Sequence, residues 1–366
     1  LKEDTQAIDD VIVVAFGTAK KEAFTGSAAV LKADDIAKTQ QSNVAQALAG
    51  KVAGVQLTNT SGQPGKSPEI RIRGFSSLNA DNKPLWIVDG MPYSGDLNNL
   101  NPNDVESMTV LKDAASNSLY GARGANGVVM VTTKKAKSNE AVITVDAKWG
   151  INSRAVKDYE YITNPAQFYE THYGALKNYY LGSDMSAVQA HAKANQNVAG
   201  SASDGGLGYM VYTVPAGQEF IGSNGKVNPQ ATLGRRLVYA GEEYYVRPDN
   251  WTDAAFRTSL RQEYNVSIGG SGDKTSVYAS FGYLNNEGIA YNSDMDRFTA
   301  RAKLDYQAKK WLKMGINANY ARFHYNQIDD SGAGNNSGNV FAYTTLVGPI
   351  YPLYIRGGDG TILYTE

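Results

Sequence analysis

The 366-residue chain has no cysteine and only three histidines, His172, His191 and His324. The first absence excludes a disulfide framework and thiolate metal sites, and leaves the redox compartment open. The histidines lack the spacing that sets two imidazoles on one helix face, so no helix-borne metal centre is expected. No Gly-x-Ser-x-Gly elbow occurs. The acids Asp294, Asp296, Asp329 and Asp330 lack the glycine of a calcium loop and read as solvated loop residues. A net charge of −1 provides no basic stripe for nucleic acid. No run of 18 apolar residues exists, so a transmembrane helix is excluded. Spanning β-strands are not, because they alternate and escape such a window. No signal peptide is visible, and Leu1 does not look like a native start, so the chain reads as part of a longer protein. Nothing points to catalysis or to a cofactor.

What the chain has is glycine, 37 residues, and tyrosine, 24. Short glycine-punctuated pieces fill the stretch from Asn43 to Lys135. Asn43 is placed to cap a short helix with Gln46 at the capping-box position, and Gly50 supplies a left-handed stop. Leu85 to Val88 reads as a strand, and Asp89-Gly90 as a tight primed turn. Asn101 stands before Pro102, which suits a first helical position. Asp113 is expected to cap a helix ending at Gly121, and Val128 to Thr133 to form another strand. Ala33 to Thr39, in the polar connection upstream, is a helical patch. The sum is a small α+β domain. Gly121-x-x-Gly124-x-x-Gly127 has phosphate-loop spacing. It precedes a strand, however, and no Gly-Lys-Ser/Thr follows, so phosphate binding is set aside. Asp10-Val-Ile-Val-Val14, ahead of the domain, reads on its residues alone as an edge strand.

A second pattern begins at Ala141. Ile143, Val145, Ala147 and Trp149 alternate with Thr144, Asp146 and Lys148. Four later runs repeat this, around 263–268, 276–283, 297–306 and 312–320, with Arg297, Arg301, Lys303 and Asn317 on the polar side. Period two over strands near ten residues fits a membrane barrel, with the polar face lining a wet lumen. A β-sandwich would alternate too. The charged faces and the loop lengths favour the barrel: 269–274 and 307–311 are tight, 285–296 is longer, and 151–256 is an excursion of about a hundred residues, as external loops of barrels are long. Asn164-Pro165 opens a helix in it, Ser183 to Asn197 is helical, and Gly200 to Gly208 is flexible. Phe168, Tyr169, Tyr173, Tyr179, Tyr180 and Tyr212 are aromatics suited to a partner contact.

The glycine-rich stretch resembles the plug of the SusC/RagA-like family of TonB-dependent outer-membrane transporters. The matching residues are Ser61-Gly-Gln-Pro-Gly65, Ile70-Arg-Ile-Arg-Gly74, Val88-Asp-Gly90, Asn101-Pro-Asn-Asp104, Val110-Leu-Lys-Asp113 and Tyr120-Gly-Ala-Arg-Gly-Ala-Asn-Gly127. The resemblance implies a membrane β-barrel of about 22 strands with an α+β plug in its lumen. This chain would hold a TonB-box segment (1–19), the plug (20–137) and the first five or so strands of the barrel (138–366). It implies that Asp10, Val11, Ile12, Val13 and Val14 are the TonB box, an extended run open to strand addition. Arg71 and Arg73 share a strand face and are expected to bond wall carboxylates rather than substrate; Asp89, Lys112, Asp113 and Arg123 are the other charged plug-motif residues. The implied partners are TonB with its ExbB/ExbD energy coupling, a SusD-like surface lipoprotein, outer-membrane lipid and a glycan or oligopeptide substrate. The implied location is the outer membrane of a Gram-negative, Bacteroidetes-like cell, with the plug on the periplasmic side and the long loops outside. A siderophore- or cobalamin-type receptor and a surface adhesin or β-sandwich protein are the competing readings.

Overall fold

The computed structural model describes residues 11–14, 17–20, 28–59, 61–75, 81–113, 118–136, 138–155, 160–329 and 339–363. They belong to two units. One is Leu1–Ser153 with Thr258–Gln327; the other is Arg154–Arg257 with Ile328–Glu366.

In the first unit, β1 (Val11–Val14) pairs antiparallel with β2 (Gly17–Lys20). β3 (Ala28–Lys32) runs into α1 (Ala33–Thr39), at the bounds expected for the helical patch. β4 (Val55–Thr58) pairs with β5 (Glu69–Ile72). Then come β6 (Leu85–Val88), β7 (Met91–Tyr93), β8 (Val105–Leu111) and β9 (Val128–Thr133). These last four join β3 in one sheet, ordered β3-β8-β9-β6-β7. β9 is a continuous apolar run because both its faces are covered. Val129 and Val131 pack with Ile36, Leu48 and Trp86, whereas Val128 and Met130 pack with Ile87 and Leu111 on the other side.

The turns follow local chemistry, with two corrections. Asp89 (φ 46°) and Gly90 (φ 85°) both adopt left-handed backbone and join β6 to β7 in a primed turn. Asn101 accepts a bond from the amide of Asn103, and Pro102 takes the first position of a single 3-10 turn. Asn43 accepts from the amide of Ala45 at 2.8 Å, yet the helix there is one 3-10 turn, Gln46–Leu48, and no capping box forms. The helix expected after Asp113 lies partly outside the described residues. What is described, Ser118–Gly124, is 3-10 turn kinked at Gly121 rather than ended by it. Gly127 is required for space as well as for its φ of 93°: a Cβ there would stand 2.7 Å from Cδ1 of Ile72.

β10 (Val142–Asn152) then starts the wall. The chain leaves it for the second unit, through α2 (Pro165–Leu181), α3 (Ala187–Asn197), β11 (Tyr212–Thr213), β12 (Thr232–Leu233), β13 (Arg235–Tyr239), β14 (Glu242–Val246) and α4 (Trp251–Ala255). It returns as β15 (Ser259–Ser271), β16 (Thr275–Glu287), β17 (Asp294–Lys309) and β18 (Leu312–Asn326). The five long strands form one antiparallel sheet in the order β10-β15-β16-β17-β18. Register lines up the alternation across it: Val145, Val266, Phe281, Ala300 and Tyr320 form one row. The β16–β17 connection is 288–293, shorter than expected, because Asn285 and Glu287 still pair with Asp296 and Asp294.

Burial on this sheet is inverted relative to a soluble one. Val145 is 70% exposed and Ile316 67%, while Arg297 is 2% and Arg301 5%. The outer face carries a chain of rings near the strand ends that adjoin the excursion. Trp149 meets Tyr264 edge-on, Tyr264 stacks on Tyr283 and Tyr283 packs on Phe298 at 4.7 Å. At the opposite ends, Tyr306 on β17 and Trp311 in the turn after it are exposed.

The second unit has its own core. Tyr169, Tyr173 and Tyr180 are buried with Leu176, Phe220 and Ile221. Three of the tyrosines expected to meet a partner are therefore interior, and Phe168 and Tyr212 pack against that core; Tyr179 is exposed. Buried hydroxyls find partners, as they must. Tyr169 donates to the carbonyl of Tyr209, and burial raises its phenol above the ordinary pKa. Asn164 caps α2, but α3 starts later than expected, at Ala187, where Ser186 and Gln189 form a capping box. The segment expected to be flexible is bonded: the amides of Gly206, Leu207 and Gly208 donate to the carbonyls of Ser201, Val198 and Gly200. α5 (Val340–Leu346) and the hairpin after it join this unit through Asp249, which takes the amides of Leu353 and Tyr354 and both terminal nitrogens of Arg356. Burial would raise the Asp249 carboxyl, but these donors outweigh it and hold it below the usual range.

Candidate functional site at the plug–wall interface

The buried polar face of the wall meets the glycine-rich domain, and the bonds between them are specific. Asn101, Asn103 and Asp104, the residues of the capped 3-10 turn, dock first. Asn101 donates to Oδ1 of Asn265 at 2.8 Å and to the Thr299 hydroxyl at 3.2 Å. Asn103 donates to Oε1 of Glu263 at 2.6 Å and accepts from Lys148. Tyr278 donates to the Asp104 carboxylate at 3.1 Å. The turn presents these side chains because Pro102 fixes its first residue and Asn101 closes it.

Two wall arginines reach furthest. Arg297 donates to the carbonyls of Ser42 and Asn98, at 2.8 and 2.9 Å. Arg301 donates to the Asp104 carbonyl, to Asn317, to the Thr133 hydroxyl and, at 3.2 Å, to Asp89. Asp89 is the anion at the centre. It also accepts from Asn317 at 2.6 Å and from the amide and hydroxyl of Thr133, and Lys303 stands 3.5 Å away. A carboxylate there offsets a buried arginine and a half-buried lysine, whose desolvation would otherwise be expensive. The left-handed turn at Asp89 thus has a second use: it turns the side chain of a residue that tolerates that backbone toward the wall.

The expected site residues separate. Asp89 alone joins this cluster. Arg71 pairs with Glu69 of its own strand at 2.8 Å and lies over Phe75, 4.2 Å from the ring centre, instead of bonding a wall carboxylate. Arg73 stands just past β5, exposed, in left-handed backbone. The arginines of the attachment stand on the wall and find their acceptors on the plug, whereas the plug's own donors to the wall are Asn101 and Asn103. Lys112 donates to the carbonyl of Ala53, and Arg123 is exposed on the kinked turn. Asp113 is half-buried, two residues past the end of β8. Val11–Val14 is extended, but one edge is taken by β2; Asp10 lies outside the described residues. At β17 the inner face is not wet: Arg297, Thr299 and Arg301 are buried beneath the domain. Arg297, Arg301, Lys303 and Asn317 were legible only as polar positions on strands. Charge at alternate positions marked the face, and nothing local marked its partners.

Residues 20–128 match the TonB-dependent Receptor Plug Domain family. TonB-dependent receptor P26 of Formosa agariphila is 31% identical over 360 residues, 98% of this chain and 30% of that protein. TonB-dependent receptor SusC of Bacteroides thetaiotaomicron is 30% identical over 343 residues, 91% of this chain and 28% of that protein. The chain belongs to the SusC/RagA-like TonB-dependent receptors. Among solved structures, the RagAB peptide importer in its open-open state superposes with a TM-score of 0.69 at 28% identity, over 96% of this chain and 36% of that one. This chain therefore spans about a third or less of the receptors it resembles. In receptor terms the glycine-rich domain is the plug, the five-stranded sheet is part of the barrel, and the cluster around Asp89 and Asn101 is where the two are bonded.

Proposed function

We propose that the protein to which this chain belongs imports oligomeric nutrients, glycans or oligopeptides, across the Gram-negative outer membrane, with energy delivered through TonB and ExbB/ExbD. The observation that carries this is the polar seat of the plug on the wall, held by many hydrogen bonds. A plug fixed by Arg297 and Arg301 does not leave by itself, so passage requires work on the plug. The segment Asp10 to Val14 receives that work: Val11–Val14 is already extended and keeps one strand edge for a partner to pair with. Asp89 is its seat-holding counterpart inside the barrel.

The inverted wall supports a lipid-facing outer surface and hence an outer-membrane location. The long second unit lies outside the cell and the plug toward the periplasm, in keeping with short inner and long outer connections. A SusD-like lipoprotein covers the barrel mouth. The likeness to the RagAB peptide importer supports oligopeptides as one substrate class. Deletion of 10–14 is expected to abolish uptake while leaving the receptor assembled in the membrane and able to bind. Undiminished growth on the cognate nutrient overturns the reading. Purification from native membranes without crosslinker tests the lid, which fails if the receptor elutes alone.

A further inference from the structure

The second unit carries a pocket of its own. Three stretches of the unit meet around it: 161–165 at the start of α2, 248–252 at the start of α4, and 344–349 at the end of α5. Its volume is about 210 Å³, below the roughly 300–1,000 Å³ of sites that enclose drug-sized ligands. Its walls are braced. Pro165 holds the first position of α2, and Asn250 caps α4. Gly348 lies so close to Phe168 that a Cβ on it would stand 2.7 Å from the ring. Asp249 ties 248–252 to the hairpin after α5 through the amides of Leu353 and Tyr354 and the Arg356 guanidinium.

The lining selects by chemistry. Trp251 donates its indole N–H to the Tyr351 carbonyl at 3.0 Å and meets Tyr343 edge-on at 5.4 Å, so it offers the pocket carbon surface rather than a donor. Hydroxyls supply the polarity: those of Tyr161 and Thr252 lie 3.3 Å apart, and Thr163 is exposed. A hydroxyl both donates and accepts. Among the described residues, Asp249 is the one charged residue in the lining, and its charge is spent on Arg356 and two amides. No counter-charge is left for an ionised ligand, and an unpaired charge taken from water is costly. We propose that this pocket binds one uncharged pyranose unit of an oligosaccharide, with the carbon face of the ring on Trp251 and its hydroxyls against Tyr161, Thr163 and Thr252. The volume admits a ring and not a chain. The proposal narrows the import reading to glycans; it rests on that reading for the role of the site, not for the binding itself.

The test uses the complete receptor, purified in a detergent without a sugar headgroup, and saturation-transfer NMR. The probes are the methyl glycosides of glucose, galactose, mannose and N-acetylglucosamine, methyl glucuronide as a charged ring, and N-acetylprolinamide as a peptide-like ring. At least one neutral glycoside is expected to bind, and the glucuronide is not. Trp251→Ala is expected to abolish that binding. Trp251 also braces Tyr343, so a second variant, Tyr161→Phe, keeps every ring and removes one hydroxyl; it is expected to weaken binding roughly two- to tenfold, the size of one hydrogen bond. Protease resistance of 160–257 reports that the unit stays folded, and where Trp251→Ala loses it, Tyr161→Phe alone decides. Binding of no neutral glycoside, equal binding by the parent and Tyr161→Phe, equal binding of the glucuronide, or binding of N-acetylprolinamide in place of the sugars each overturns the proposal. Binding in detergent needs no energy. Absence of energy-dependent uptake in cells would therefore strike the import reading and leave this site standing.

Discussion

The two faces of the five-stranded wall are built from the same strands and obey opposite rules. On one face, Val145, Phe281 and Ile316 stand exposed; on the other, Glu263, Arg297 and Arg301 are buried. In water the first face would be costly and the second unfilled. The arrangement is coherent only if the first face meets lipid and the second meets a polar object. The plug is that object, and it answers the inner face with carbonyls, side-chain amides and the carboxylates of Asp89 and Asp104. The contrast shows that "hydrophobic inside" describes the solvent, not the protein.

The sharpest way to break the contrast is from the buried side. Asp89→Ala leaves Arg301 and Lys303 without their anion. Loss of one partner of a buried pair costs about 3–5 kcal/mol. Thermal unfolding of the receptor in detergent is expected to show a separate, earlier plug transition, and an unchanged profile would show that Asp89 does not hold the seat. From the lipid side, Ala302→Arg places a charge on the exposed row. At mid-bilayer such a charge costs about 2–4 kcal/mol. Folding titrations in vesicles are expected to show that loss, whereas arginine in place of Ser280, on the plug side of β16, should not follow the depth-dependent scale. Equal penalties at both positions would erase the distinction between faces.

A smaller effect tests whether the second unit stands apart from this logic, as its own buried, tyrosine-rich core implies. The Asp249 carboxyl lies below its ordinary value of 3.8. Its contribution is complete above that value and is lost as pH falls through the lower folded value. The segment 339–363 should therefore become protease-sensitive only below pH 3.8, and Asp249→Asn should remove the pH step. Sensitivity that is flat with pH in the parent would refute the role of Asp249.

What the sequence disclosed was local. The primed turn at Asp89-Gly90, α1, the Asn101-Pro102 cap and the five alternating strands each depend on residues within a turn or two. What it withheld was non-local. Arg301 and Asp89 are 212 residues apart, and no periodicity states that they meet. Arg71 misled for the same reason: its strand face was readable, but the competing partner Glu69, two residues away, decided where it went. The extra length of β16 and β17 was hidden because Asn285 and Asp296 look like loop residues, and only their pairing across the hairpin makes them strand.

The outer rings fix a length. Phe298 and Tyr306 lie on one strand, eight residues apart, and mark the two ends of the exposed apolar stretch. At about 3.4 Å per residue that is ~27 Å along the strand. Strands of such barrels tilt by about 40°, which leaves roughly 21 Å along the bilayer normal. That is a short span, matched to the bacterial outer membrane, which is thinner than most. In a thicker bilayer Trp149, Tyr264 and Tyr283 would be drawn below the headgroups, and the surrounding lipid would have to compress to meet them. The aromatic rows therefore act as a gauge: they select by hydrocarbon depth which membrane this wall fits.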